Sequence, residues 1–159
     1  VGTTGVRPLT IKDKSAVMSL LRATPEFLPP EVVVAEELID AYLEEEKASG
    51  YYIYVAEHDG DIAGYVCYGD TPLTEATWDL YWIAVDHEKQ GFGIGRILMK
   101  HAEEDIKRMH GKLVMVETSG KADYNKTRQF YERLNYQKLC QITDYYAPGD
   151  DLVLFAKRI

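Results

Sequence analysis

The chain has 159 residues, 46% of them hydrophobic and 28% charged, the balance of an ordinary globular protein long enough to bury one sizeable core. Its formal net charge of −8 disfavours nucleic acid or an anionic membrane as a main partner, because both are polyanions. No apolar run approaches the ~20 residues that span a bilayer, and Val1-Gly2-Thr3-Thr4 has neither the basic region nor the apolar core of a signal peptide, so a cytoplasmic location is expected.

Val6 to Ile11 reads as a short first strand. Asp13 to Leu21 reads as a helix with Ala16, Val17, Leu20 and Leu21 on one side. Thr24-Pro25 and Pro29-Pro30 break it and start another helix, since proline suits a first helical turn. From Glu31 to Ala48, Val34, Leu38 and Tyr42 recur at four-residue spacing, Glu44 to Glu46 form a solvated face, and Gly50 ends the helix. Tyr51 to Glu57 and Asp61 to Gly69 are two strands joined by a tight hairpin at His58-Asp59-Gly60, because Asp-Gly tolerates the positive φ such turns require. Thr74 to Val85 is the next strand, and Ile94 to Met109 a helix with Leu98, Ala102, Ile106 and Met109 on one face. Leu113 to Thr118 is a strand, Tyr124 to Leu134 a shorter helix, and Tyr136 to Tyr146 and Leu152 to Ala156 the last two strands. Strands alternating with helices, with hairpins at both ends, predict an α/β layer structure with a mixed sheet. Cys67 and Cys140 both fall inside strand-like segments and are expected as reduced core thiols; no Cys/His cluster has zinc spacing, so no metal is expected.

The most informative stretch is Leu80 to Met99. An apolar strand runs into the polar turn Asp86 to Lys89, then Gln90-Gly91-Phe92-Gly93-Ile94-Gly95, then an amphipathic helix. A helix N-terminus carries unpaired N–H groups and partial positive charge, and glycines before it let backbone wrap closely around a phosphate. The dinucleotide fingerprint is not met, because the three glycines fall on alternate residues, and no Gly-Lys-Ser/Thr follows as a P-loop needs.

Gln90, Gly93 and Gly95 match Q/R-x-x-G-x-G/A, which resembles the pyrophosphate-binding signature of the GNAT superfamily of acyl-CoA N-acyltransferases. The preceding strand resembles that family's fourth strand, and Phe130-Tyr131-Glu132-Arg133-Leu134-Asn135-Tyr136 resembles its F-Y-E-x-x-G-F/Y segment. The resemblance implies one domain over residues 1–159, folded as a three-layer α/β structure. Its sheet would be mixed and mostly antiparallel, of about six to seven strands, splayed between the fourth and fifth, with helices on both faces. It also implies acetyl-CoA as acyl donor and coenzyme A as product. Ile83, Ala84 and Val85 would pair with the peptide-like pantetheine arm as an added strand does. Gln90, Gly91, Phe92, Gly93, Ile94, Gly95 and Arg96 would take the pyrophosphate. The family often places a cofactor-contacting Asn seven residues before its F-Y-E tyrosine; here that position, and the expected cofactor contact, falls to Tyr124, with Asn125 one position on and ~100° round a helix. Thr127 and Arg128 are then expected toward the adenosine or 3′-phosphate end.

Amide formation from a thioester needs the carrier held, the amine neutral, a donor for the oxyanion and a proton for the leaving thiolate. A backbone N–H at Val85 or its neighbour suits the oxyanion. By resemblance, Tyr131 supplies the proton. Two carboxylates compete as base. Asp79 lies eleven residues before Gln90, where GNAT histone acetyltransferases carry a longer Glu; Glu117 lies on the next strand, where ribosomal-protein alanine acetyltransferases carry theirs, and is preferred. Either also reads as a strand-end carboxylate paired with a neighbour, and an ordered water is the remaining choice. Neither cysteine has a nearby His in sequence, so transfer is expected to be direct. Phe27 and Leu28, in the region that lines the acceptor side in the family, are expected substrate contacts. So are Tyr145 and Tyr146, in a segment resembling the D-Y-Y loop of amino-terminal and small-amine acetyltransferases. A small amine or amino acid is the favoured acceptor and a peptide N-terminus the alternative, in a monomer or homodimer. The rival reading is an acyl-CoA-binding module without turnover.

Overall fold

The structure, a computed structural model, describes residues 2–159. Seven strands form one sheet in the order β1-β2-β3-β4-β5-β7-β6. They are β1 (Thr4–Pro8), β2 (Tyr52–His58), β3 (Asp61–Asp70), β4 (Thr77–Val85), β5 (Leu113–Ser119), β6 (Gln137–Ala147) and β7 (Asp150–Arg158). Every pairing is antiparallel except β4 with β5, which is parallel. Four α-helices connect them: α1 (Lys14–Ala23), α2 (Pro29–Glu45), α3 (Ile94–Arg108) and α4 (Asn125–Arg133). This is the expected mixed, mostly antiparallel sheet with helices on both faces.

Two-residue alternation along the strands builds a core on each face. Ile53 and Val55 of β2, with Tyr65 and Cys67 of β3, pack with α1 and α2. Tyr52, Tyr54 and Ala56, with Val66 and Tyr68, pack with α3 and α4. At the β2–β3 turn Asp59 and Gly60 both take positive φ, 53° and 88°, the pattern that matches strand twist. Helix α3 buries Leu98, Ala102 and Ile106 as predicted, together with Ile94 and Met99, while Met109 is its half-buried C-cap. Helix α2 differs: it buries Ala35, Ile39 and Tyr42 rather than a stripe through Val34, which is 45% exposed. At ~100° per residue Ala35, Ile39 and Tyr42 share one narrow face of the helix, whereas Val34 lies about 140° round from Ile39. The helix also ends early, at Glu45, because Glu46 turns to φ 49° and starts a short 3₁₀ segment that Gly50 closes at φ 84°. The start of α1 is tied to β1 by a bidentate pair, Arg7 Nη1 and Nη2 donating to Asp13 Oδ2 and Oδ1 at 2.7 and 2.9 Å.

Strand β4 positions the site. Cys67 pairs with Trp82 and Tyr68 with Leu80, so Tyr81 is an extra residue, a β-bulge. The core contacts record the slip. Trp78 and Leu80 face α3, but beyond Tyr81 it is Ile83 and Val85 that do, while Trp82 and Ala84 face α1 and α2. Pairing of β4 with β5 stops at Leu80 and Val116, although β4 runs on to Val85 and β5 to Ser119. The two strands part where the bulge bends β4, and this is the predicted splay.

One cysteine departs from expectation. Cys67 is buried, whereas Cys140 is exposed. The chain inserts β7 between β5 and β6, which leaves β6 at the sheet edge with all eleven residues exposed. Among the described residues no helix is long and apolar enough to cross a membrane.

Candidate active site

A cavity of about 540 Å³ opens where β4 and β5 part. Its walls bring together nine of the residues singled out from sequence: Phe27, Leu28, Asp79, Ile83, Glu117, Tyr124, Thr127, Tyr131 and Tyr146. These come from five separate stretches of the chain, so their convergence is a product of the fold. Ala84, Val85, Tyr145 and the turn from Gln90 to Arg96 are not among the lining residues. Ala84 and Val85 turn their side chains into the two cores. Past Leu80 their strand has no partner on the β5 side, so that edge of the backbone is left for a ligand.

Tyr131 projects from α4 into a cage of Phe130, Tyr136 and Phe155, with ring centroids 5.3, 5.7 and 6.0 Å away. Among the described residues its hydroxyl makes no hydrogen bond. Burial pushes the phenol well above its ordinary value, so it stays protonated at neutral pH and has a proton to donate. Asp79 and Glu117 stand on neighbouring strands: Asp79 is in register with Met115, and Glu117 lies two residues further on the same face. Thr71 Oγ1 donates to Asp79 Oδ2 at 2.8 Å. Glu117 is exposed at the cavity and has no hydrogen-bond partner among the described residues. Four carboxylates line the cavity, Glu31, Asp79, Glu117 and Asp150, against one lysine, Lys121, which sits 3.8 Å from Asp150. Burial, with Glu117 the largest of the nearby charges, pushes the Tyr146 phenol up to about 12; burial and then Asp79 do the same for Tyr81.

The glycine-rich turn has the backbone its composition demands. Gly91 and Gly93 take φ 90° and 75°, with open space where a Cβ would stand. Gly93 is the N-cap of α3, and among the described residues no side chain caps the helix, which leaves its first N–H groups, from Ile94 onward, without a side-chain partner. Phe92, 55% exposed, stands beside the His58 ring at 4.9 Å, and Gln90 and Arg96 are exposed. Gly95 also serves packing. A Cβ there would come within 3.0 Å of the Phe130 ring, so this glycine lets α4 pack on α3.

Several of these residues also make contacts within the protein. Arg128 donates to the carbonyls of Ser119 and Lys121 at 2.6 and 2.9 Å and to Asn125 Oδ1, so it ties the β5–α4 connection to α4. The Tyr124 hydroxyl donates to the Glu26 carbonyl at 3.0 Å and straps the α1–α2 connection across the cavity. There Phe27 meets Trp82 edge to face at 5.4 Å. Tyr145 is 53% exposed and backs Tyr146 at 5.0 Å. Thr118 carries no signal of its own in the sequence. It is 6% exposed, lines the cavity, and its buried Oγ1 has no partner among the described residues. A buried hydroxyl without a partner is uncommon and marks a place where a ligand can pair.

The acetyltransferase (GNAT) domain profile matches residues 49–138. The chain belongs to the GNAT N-acetyltransferase family, a family of acyltransferases that use acetyl-CoA. A 5-NmdU N-acetyltransferase of Pseudomonas phage PaMx11 is 32% identical over 104 residues, covering 65% of this chain and 67% of the phage protein. The chain thus spans about two thirds of the length of that curated relative. A GNAT-family crystal structure from Desulfovibrio desulfuricans is 38% identical with a TM-score of 0.94, covering 98% of this chain and 99% of the other. A Salmonella typhimurium structure solved with acetyl-CoA shares the fold, with a TM-score of 0.78 and 18% identity over 98% of this chain and 93% of that one.

Proposed function

We propose that this chain acts as a single acetyltransferase domain that moves the acetyl group of acetyl-CoA directly to a primary amine, with Glu117 as base and Tyr131 as proton donor. The observation that supports this most is the convergence of Glu117 and Tyr131 on the cavity that the Tyr81 bulge opens. The residues present fit acetyl-CoA. The unpaired edge of β4 from Tyr81 to Val85 suits an amide-bearing arm, and the orphaned Thr118 hydroxyl offers that arm a side-chain partner. The positive-φ turn at Gly91 and Gly93, before the uncapped N–H groups of α3, suits a diphosphate. A structure of the same fold was solved with acetyl-CoA.

When bound, acetyl-CoA supplies an acetyl thioester whose carbonyl carbon accepts the amine's lone pair while the C–S bond breaks and sulfur leaves with its electron pair. The protein's work is proton handling and alignment. An alkyl amine of pKa ~10.4 costs about 4–5 kcal/mol to deprotonate at pH 7, so a carboxylate at the cavity matters. Glu117 is preferred over Asp79, because Asp79 already accepts from Thr71 and is one methylene shorter. The Tyr131 hydroxyl, unpaired within the protein and held protonated by burial, donates to the leaving sulfur. An N–H on the free edge of β4 near Val85 serves the oxyanion.

Thiol release from acetyl-CoA, followed across a panel of primary amines, tests this reading. Release that depends on amine and falls sharply in Tyr131→Phe supports it. Acetyl-CoA binding with no release for any amine favours a non-catalytic acyl-CoA-binding module.

A further inference from the structure

We infer that the acceptor is an aliphatic diamine or polyamine, held by its distal ammonium while the near amine is acetylated. This rests on the acetyl-transfer reading above and specifies its substrate.

The cavity carries more negative charge than the reaction uses. Once Glu117 is assigned to the reacting amine and Asp150 to Lys121, Glu31 and Asp79 still face the cavity, and neither has an ion-pair partner among the described residues. Glu31 accepts from the Leu28 N–H at 2.7 Å, which fixes its carboxylate without neutralising it. A ligand that fills the cavity strips water from these carboxylates, which is costly unless it brings a cation of its own. A monoamine spends its one charge at the reacting end. A second ammonium makes good the deficit.

The walls also lack any group that would hold an anion. Among the described residues that line the cavity there is no arginine, and the one lysine is beside Asp150. Nothing there recognises a carboxylate or a phosphate, which disfavours amino acids and nucleotides as acceptors. The walls between the charged groups are aromatic: Phe27 and Trp82 in edge contact, with Tyr81 and Tyr146. Such surfaces suit a methylene chain and attract an ammonium through their π faces. In the reaction one terminal amine, deprotonated, forms the C–N bond as the C–S bond breaks, and the departing sulfur gains a proton; the other terminus stays charged.

The test compares three four-carbon acceptors by thiol release: 1,4-diaminobutane, 1-aminobutane and 4-aminobutanoate. At low salt the diamine is expected to exceed the monoamine in kcat/KM by about tenfold, after allowance for its two equivalent ends, and the amino acid by more. That advantage should shrink severalfold near 0.5 M NaCl, as screening requires. Glu31→Gln, which keeps an oxygen for the Leu28 N–H, should lower kcat/KM for the diamine about tenfold and for the monoamine less than twofold. Equal or better use of 1-aminobutane or 4-aminobutanoate overturns the assignment. So does a Glu31→Gln effect common to all three, or bound acetyl-CoA with no diamine turnover. Acetyl-CoA binding is measured first by calorimetry: its absence refutes the transfer reading and this one together, whereas its presence with the wrong acceptor refutes this one alone.

Discussion

Replacing Thr118 with valine keeps the side chain's shape and removes only its hydroxyl. In the free protein that hydroxyl is buried and unpartnered among the described residues, a condition that costs about 1–3 kcal/mol per group. Taking the low end, Thr118→Val stabilises the free protein by about 1 kcal/mol. A chain of 159 residues unfolds with an entropy of about 330 cal/mol/K, at ~2.1 cal/mol/K per residue, so the melting temperature should rise by about 3 °C. With acetyl-CoA bound the sign reverses, because the ligand's partner is lost. A neutral hydrogen bond contributes about 0.5–1.5 kcal/mol, which weakens Kd about 2- to 12-fold. Differential scanning fluorimetry with and without acetyl-CoA, alongside calorimetry, reads both effects. A variant that melts lower than wild type without ligand, or binds acetyl-CoA equally well, would rule this role out: the hydroxyl would then have a partner inside the protein, or none in the complex.

Tyr131→Phe should lower kcat about 100-fold with little change in KM, the usual scale of general-acid contributions; an unchanged kcat removes Tyr131 from the chemistry. Glu117→Gln should abolish the fall of kcat/KM on the acid side of its pH profile, while Asp79→Asn leaves that limb in place; if the limb survives in both, an ordered water is the base. Stability should respond to acid through Asp13. Hydrogen bonds from Arg7 hold its carboxyl down to about 2, against an ordinary 3.8, so its stabilisation is complete above about pH 4–5 and lost as pH falls toward 2. The shift corresponds to about 2 kcal/mol, discounted to about 1 because the Arg7 side chain is 36% exposed. Asp13→Asn should therefore melt about 3 °C lower at pH 7 and converge with wild type near pH 2, by circular dichroism. A constant difference across that range would sink the assignment.

The strand, glycine turn and helix from Leu80 to Met99 are legible because each is written locally, in an apolar run, in residues that tolerate positive φ, and in a 3.6-residue stripe. Tyr131 and the two carboxylates are legible only through resemblance, and it is the splay that brings them to one cavity. The bulge at Tyr81 leaves no local trace, since it exists only in the register of β4 against β3. Cys140 reads as a core thiol and is not one for a topological reason: chain order cannot tell that β7 enters the sheet inside β6. Arg128 reads as a phosphate ligand; that it also ties the backbone carbonyls of Ser119 and Lys121 is something no side-chain pattern announces. Thr118 reads as one more strand threonine until burial and the lack of a partner are seen together.

The enzyme reading stands or falls on whether the main chain around Gly91 and Gly93 and the free edge of β4 hold acetyl-CoA. Calorimetric titration of acetyl-CoA into wild type and Gly93→Val decides it. Gly93 sits at φ 75° with nothing within 4 Å of a Cβ, so valine strains the turn without colliding with the core. One equivalent should bind to wild type, and binding to the variant should be at least about tenfold weaker, with both folded by circular dichroism. Equal affinity in the two proteins, or no heat in either, would mean that the turn does not hold the cofactor.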